Sequence, residues 1–210
     1  MALRLEREMR ELGAERVLFD DAGEKVGSDT GNLIALFAGT APNAPALLIA
    51  AHMDTVVPGE GVKPVTEGDI IRSDGTTVLG GDDKSGVAII CEVLRVLRDR
   101  AIRHGPIDAV FTICEEKGLL GAKHLDVRAL RARSGVVLDS DSPGFLFTRA
   151  PGANAIRVRV HGLEAHAGMA PEKGMNAIQI AAEAISGTAC CSSAACNTSS
   201  CNISARKTSA

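Results

Sequence analysis

His52 and Asp54 close the apolar run ALLIAAHMD (46–54), Glu115 and Glu116 follow IDAVFTIC (107–114), and Asp139 closes GVVLD (135–139). Asp82 and Asp83 stand at the mouth of the glycine-rich segment SDGTTVLGGDDKSG (73–86), just ahead of a helical stripe. Alternate residues of a strand point the same way, so His52 and Asp54 emerge together, as a metal ligand and its neighbour would. Two adjacent carboxylates repel each other unless something positive sits near them. If Glu115 and Glu116 point differently, they can divide the work, one binding metal and the other moving protons for an attacking water. Each group alone also has a plainer reading. A strand-end His beside an Asp can be a surface hydrogen-bonded pair. Acids ahead of a helix can cap its free amides. EEKG can be a solvated loop, and Asp139 carries the same ambiguity. Taken together, successive strand and loop ends present imidazole and hard oxygen, the set that zinc accepts.

The elements that would position these residues are short. Leu5, Met9 and Leu12 recur at helical spacing, and Gly13 supplies a stop. RVLF (16–19), NLIALF (32–37) and residues 46–54 read as strands, the last as a fully buried one. Residues 84–98 predict the clearest helix, with Val87, Ile90, Cys91, Leu94 and Leu97 on one stripe. A strand at 107–114, a short helix near 120–126 and a buried strand at 135–139 follow. This alternation predicts an α/β fold, a mostly parallel sheet with helices on both faces. Ligands of such folds collect outside the carboxyl ends of the strands, where the acids and His52 fall. From about residue 150 the pattern changes: IRVRVHG (156–162) alternates like an antiparallel strand, and 172–185 reads as a helix.

Composition narrows the function classes. With 23 basic and 26 acidic side chains, the formal charge of -3 offers no field for nucleic acid or an anionic membrane, so neither is expected as a partner. No run approaches a membrane span, and MALRLEREMRELG lacks a signal-like core, which gives a cytoplasmic expectation. Cys91 and Cys114 lie in apolar segments and read as buried thiols of a reducing compartment. Cys190, Cys191, Cys196 and Cys201 crowd into a tail of Ser, Thr, Ala and Asn without periodicity. Their spacing lacks the paired CxxC of zinc modules, against a metal or disulfide reading.

HMDTV (52–56), SDGTTVLGGDDKSG (73–86), EEKGLLGAKHLD (115–126) and VLDSD (137–141) resemble, in order and spacing, the tripeptidase T branch of the dinuclear zinc metallopeptidase family that includes carboxypeptidase G and aminoacylase. GLEAHAGMAPEKGMNAI (162–178) resembles the first strand and helix of that family's ferredoxin-like lid, or dimerisation, domain. The resemblance implies two zinc ions bridged by Asp82, with His52 and Asp139 completing one site and Glu116 belonging to the other. It implies Glu115 as general base and acid, Asp54 as the residue orienting His52, and His166 as a substrate contact, in many relatives across a dimer. It also implies a cis peptide between Asp82 and Asp83. The expected reaction is hydrolysis of a short peptide, in the manner of a tripeptide aminopeptidase. A deacylase or carboxypeptidase of the same family acting on N-acyl amino acids is the alternative, and a non-catalytic fragment or interaction module is the alternative of another class.

The resemblance covers residues 1 to about 186. It divides the chain into an incomplete catalytic domain (1–149), the beginning of a lid (150–186) and an aberrant, disordered tail (187–210). The family's second zinc takes a further histidine that follows the lid, and His104, His124, His161 and His166 match no ligand position. The chain by itself is therefore expected to be inactive and to hold at most one zinc firmly, with a homodimer only where the lid is complete.

Overall fold

The computed structural model describes residues 1–140, 142, 144–149, 157–166 and 168–188. The chain divides into two compact units between Phe145 and Leu146.

The first unit opens with helix α1 (Ala2–Glu11), whose Leu5 and Met9 are buried. It ends at Gly13, whose φ of 96° lies in the left-handed region that a side chain disfavours. Strand β1 (Arg16–Phe19), helix α2 (Ala22–Val26), β2 (Leu33–Phe37) and β3 (Leu47–His52) follow. A hairpin comes next, β4 (Pro64–Glu67) paired with β5 (Ile70–Ser73), and its sequence does not announce it. Helix α3 (Gly81–Asp99), β6 (Ile107–Thr112), helix α4 (Leu120–Lys123), a 3-10 turn (Val127–Ala129) and β7 (Ser134–Val137) complete the unit.

The five-stranded sheet has the order β1-β2-β6-β3-β7. β6, β3 and β7 run parallel, while β1 and β2 pair antiparallel, so the sheet is mixed and its parallel part lies beside the site. Period-two alternation sorts the core. Leu33, Ala35, Phe37, Ala109, Phe111 and Ala51 face a cluster completed by Leu5 and Met9 of α1 and Val87, Ile90 and Leu94 of α3. Ile34, Leu36, Ala50 and Val110 face the other side, where Leu125, Ala129 and Leu130 lie over them. Helical segments thus flank both faces, the second much more thinly. That thin cover explains two departures from expectation. β3 is buried only from Ala50 to His52, and β7 is exposed along its whole length as the edge of the described sheet. An apolar run reports that a strand can be covered, not that it is.

The second unit holds a 3-10 turn (Pro171–Lys173) and helix α5 (Ala177–Thr188). Residues 157–162, expected as a strand, form none; among the described residues only a bridge between Leu163 and Met175 makes a strand-like pairing. Alternation needs a neighbouring strand to accept its backbone bonds before it becomes a ladder. The expected helix from 172 begins instead at Ala177, where the Asn176 side chain accepts from the Ile178 and Gln179 amides at 3.0 and 3.2 Å. The expected tail and its four cysteines lie outside the described residues, apart from Gly187 and Thr188, which belong to α5.

Candidate metal centre

β3, β6 and β7 are parallel, so His52, Glu115 and Asp139 come out at one edge of the sheet. His52, the last residue of β3, is 2% exposed. Its Nε2 lies 2.9 Å from Asp82 Oδ1 and 4.0 Å from Asp139 Oδ1. Its Nδ1 is buried and 3.4 Å from Asp54 Oδ1, yet makes no hydrogen bond among the described residues.

The two aspartates ahead of α3 take different tasks. Their shared peptide bond is cis, and both residues have non-helical dihedral angles, so regular helix begins after them. Asp83 is buried, and its Oδ1 accepts from the Gly86 amide at 2.9 Å, which is a cap to the third helical residue. Its Oδ2 takes the His52 amide at 3.4 Å. Capping is therefore right for Asp83, while Asp82, its side chain 72% exposed, is left to face the imidazole. Gly86 is needed there, because a methyl group would press on the Leu138 carbonyl oxygen and stand 2.5 and 2.7 Å from the Asp83 oxygens.

Asp54 reaches across to the loop after β6. Its two oxygens accept from the Glu115 and Glu116 amides at 3.0 and 3.2 Å, so one carboxylate fixes the backbone of both acids. Lys84, not singled out by sequence, donates from Nζ to the Asp54 carbonyl oxygen at 2.9 Å. Its place in DDK, one residue beyond the acids, was the available signal.

The cluster carries more negative charge than it balances. Burial raises the Asp139 carboxyl above its ordinary value, and Asp82 adds to the rise against the opposing pull of His52. Burial raises Glu115 as well, with Asp139, Glu116 and Asp54 reinforcing it, and burial raises Asp83 despite its two amide donors. For His52, burial disfavours the charged ring, but the Asp82 hydrogen bond and the fields of Asp139 and Asp54 outweigh it and hold the imidazole above its usual value. Burial pulls Lys84 down, although acids surround it.

One donor atom each from His52, Asp82 and Glu116 falls within 4.8 Å of the others, and the same holds for His52, Asp83 and Asp139. A divalent cation fits this donor set: one imidazole among crowded carboxylates, two of them, Asp139 and Asp83, held above their ordinary pKa chiefly by burial. The structure thus brings together His52, Asp54, Asp82, Glu115, Glu116 and Asp139. His166 belongs to the second unit, where its ring Nδ1 accepts from the Gly168 amide at 3.2 Å. Among the described residues no second histidine joins either ligand group, and His104 Nδ1 is hydrogen-bonded to the Gly105 carbonyl oxygen.

The profile of peptidase family M28 matches residues 32–157, and that of the peptidase dimerisation domain matches residues 148–189. The uncharacterized protein YqjE of Bacillus subtilis is 45% identical over 183 residues, which make up 87% of this chain and 49% of that protein. Peptidase T of Citrobacter koseri is 31% identical over 210 residues, covering 85% of this chain and 50% of its own. Among solved structures, aminopeptidase PepT from Bacillus cereus matches with a TM-score of 0.73 at 39% identity, over 88% of this chain and 50% of that one. The chain spans about half the length of these relatives.

Proposed function

We propose, since the chain belongs to peptidase family M28, that the cluster at its sheet edge is the metal-holding half of a site that hydrolyses short peptides. The observation that carries this reading is that His52 shares two donor groups, one with Asp82 and Glu116 and one with Asp83 and Asp139, whose acids come from separate segments of the chain. His52, Asp82 and Asp139 would hold one zinc, and Asp82 and Glu116 would contribute to a second. Two such ions, when bound, polarise a scissile carbonyl and make an attacking water acidic near neutral pH.

The protein's own groups do the rest. Glu115, with its raised pKa, accepts the proton of the attacking water and returns it to the leaving amine. Asp54 holds the Glu115 and Glu116 backbone and faces the inner nitrogen of His52. His166 contacts the substrate, and a complete lid makes a homodimer, in keeping with the match to the dimerisation domain. The likeness to aminopeptidase PepT favours a short peptide with a free amino end over an N-acyl amino acid. Free Cys91 and Cys114 suit a cytoplasmic location.

The test uses the protein extended to the length of its relatives. Glu115→Gln should lower tripeptide turnover by about 10²–10⁴-fold with zinc content unchanged, whereas Glu116→Gln should lower zinc content too. Equal zinc loss in both variants would show the two roles to be wrongly assigned. Turnover of N-acyl amino acids in place of tripeptides would move the protein to the deacylases.

A further inference from the structure

The loop bearing Glu115 and Glu116 leaves the end of β6 at Ile113 and comes back against it at Gly121 in α4, and one side chain outside the loop grips both ends. β2 runs antiparallel to β6 with Leu33 opposite Phe111, so Asn32, the residue before β2, arrives at the edge where β6 ends. Asn32 is fully buried. Its Oδ1 accepts from the Ile113 amide at 3.1 Å, and its Nδ2 donates to the Gly121 carbonyl oxygen at 2.9 Å. The Gly121 amide in turn donates to the Ile113 carbonyl oxygen at 3.0 Å. The Asn32 amide therefore spans the neck as a peptide group of a neighbouring strand would.

The other donors of Asn32 are also used, Nδ2 to Asp20 Oδ2 at 2.8 Å and the backbone amide to Asp20 Oδ1 at 2.9 Å. The fit leaves no slack, since a methyl group on Gly121 would stand 2.6 Å from Asn32 Oδ1 and 2.7 Å from the Ile113 nitrogen. Beyond the neck the Gly118 and Leu119 amides both turn back to the Glu115 carbonyl oxygen, at 2.9 and 2.8 Å. The loop is thus held at two places, by Asn32 at its neck and by Asp54 at the amides of its two acids.

We infer that Asn32 is a positioning residue, which staples the neck of the 113–121 loop and so sets where the Glu115 and Glu116 carboxylates stand relative to His52 and Asp82. The competing account is a buried asparagine that merely stabilises the sheet. Amide hydrogen exchange on the 210-residue chain separates the two. Asn32→Ala is compared with Ile34→Ala, which destabilises the same strand but whose side chain makes none of the neck hydrogen bonds, in denaturant adjusted to give both equal global stability. Loss of two neck hydrogen bonds should speed exchange of the Glu115, Glu116, Gly118 and Leu119 amides by about tenfold or more over the Ile34 variant. Equal exchange in the two variants overturns the inference. Should Asn32→Ala fail to fold, Asn32→Asp keeps the shape, sets an oxygen against the Gly121 carbonyl and is expected to give the same local acceleration.

The catalytic consequence rests on the hydrolytic reading above. In the full-length protein Asn32→Ala should lower kcat about tenfold or more, with KM changed less than about twofold, and Ile34→Ala should leave kcat near wild type. An unchanged kcat would overturn the positioning role. Absence of peptide hydrolysis by the wild type would instead refute the hydrolytic reading, and the exchange comparison would still decide on the staple.

Discussion

Gly86→Ala tests how tightly the sheet edge, the cap of α3 and the cluster of acids around His52 are joined. The added methyl group would meet three atoms that cannot simply swing away: the Leu138 carbonyl oxygen, one residue before Asp139, and both oxygens of Asp83 at 2.5 and 2.7 Å. Relief requires Asp83 or the end of β7 to move by roughly 1 Å, because ordinary contact lies near 3.5 Å and the interior is close-packed. Moving Asp83 breaks its bond to the Gly86 amide, a cap contribution of about 1 kcal/mol. Overpacking adds about 2–3 kcal/mol, and the better helix propensity of alanine returns about 1. The net expectation is a loss of about 2–3 kcal/mol, or a fall of roughly 10 °C in melting temperature. Urea denaturation of the metal-free chain, followed by circular dichroism, measures it. Gly81→Ala is the internal control, since nothing lies within 4 Å of a methyl group there, and it should change stability by less than about 0.5 kcal/mol. A Gly86 variant as stable as this control would refute the close approach of α3 to the strand end.

Asp54→Ala should cost roughly 2 kcal/mol in the same assay, because two backbone amides lose a charged acceptor; a loss below about 0.5 kcal/mol would mean that solvent replaces it freely. The pH dependence has a definite sign. Asp83, Glu115 and Asp139 have folded-state pKa values raised above the unfolded ones, and so does His52. The folded state therefore binds more protons, and these groups stabilise it below their unfolded values and lose that contribution as pH rises through the raised ones. In a chelator, Asp139→Asn should raise the melting temperature at neutral pH, and the gain should vanish towards about pH 4. A gain that grows on acidification would show the opposite linkage.

Much of the first unit was legible because its strands are short apolar runs ending in residues that do not belong in a core. His52, Glu115 and Asp139 could be placed at strand ends from pattern alone, and the family resemblance assigned them roles. The Asp82–Asp83 pair was harder, since capping and metal binding call for the same residue type; only the path of the backbone separates the buried cap from the outward acid. Asn32 was hidden for a different reason. At the head of NLIALF it reads as a strand boundary, and its partners lie 81 and 89 residues away at Ile113 and Gly121. The β4–β5 hairpin also escaped notice, because PVTE and IIRS are too short for alternation to rise above chance. Residues 157–162 carry the alternation of a strand without forming one, as local pattern cannot supply a partner.

Zinc bound per chain tests the central claim most directly. The 210-residue chain is loaded with zinc, passed through gel filtration to remove weakly held metal and analysed beside His52→Ala. On the proposed assignment, His52, Asp82 and Asp139 would hold a first ion with three protein ligands, whereas Asp82 and Glu116 would leave a second largely to water. One zinc should remain on the wild-type chain and none on the variant. A wild-type chain that retains no zinc, or a His52 variant that retains as much as wild type, would contradict the assignment of this sheet edge as a metal centre.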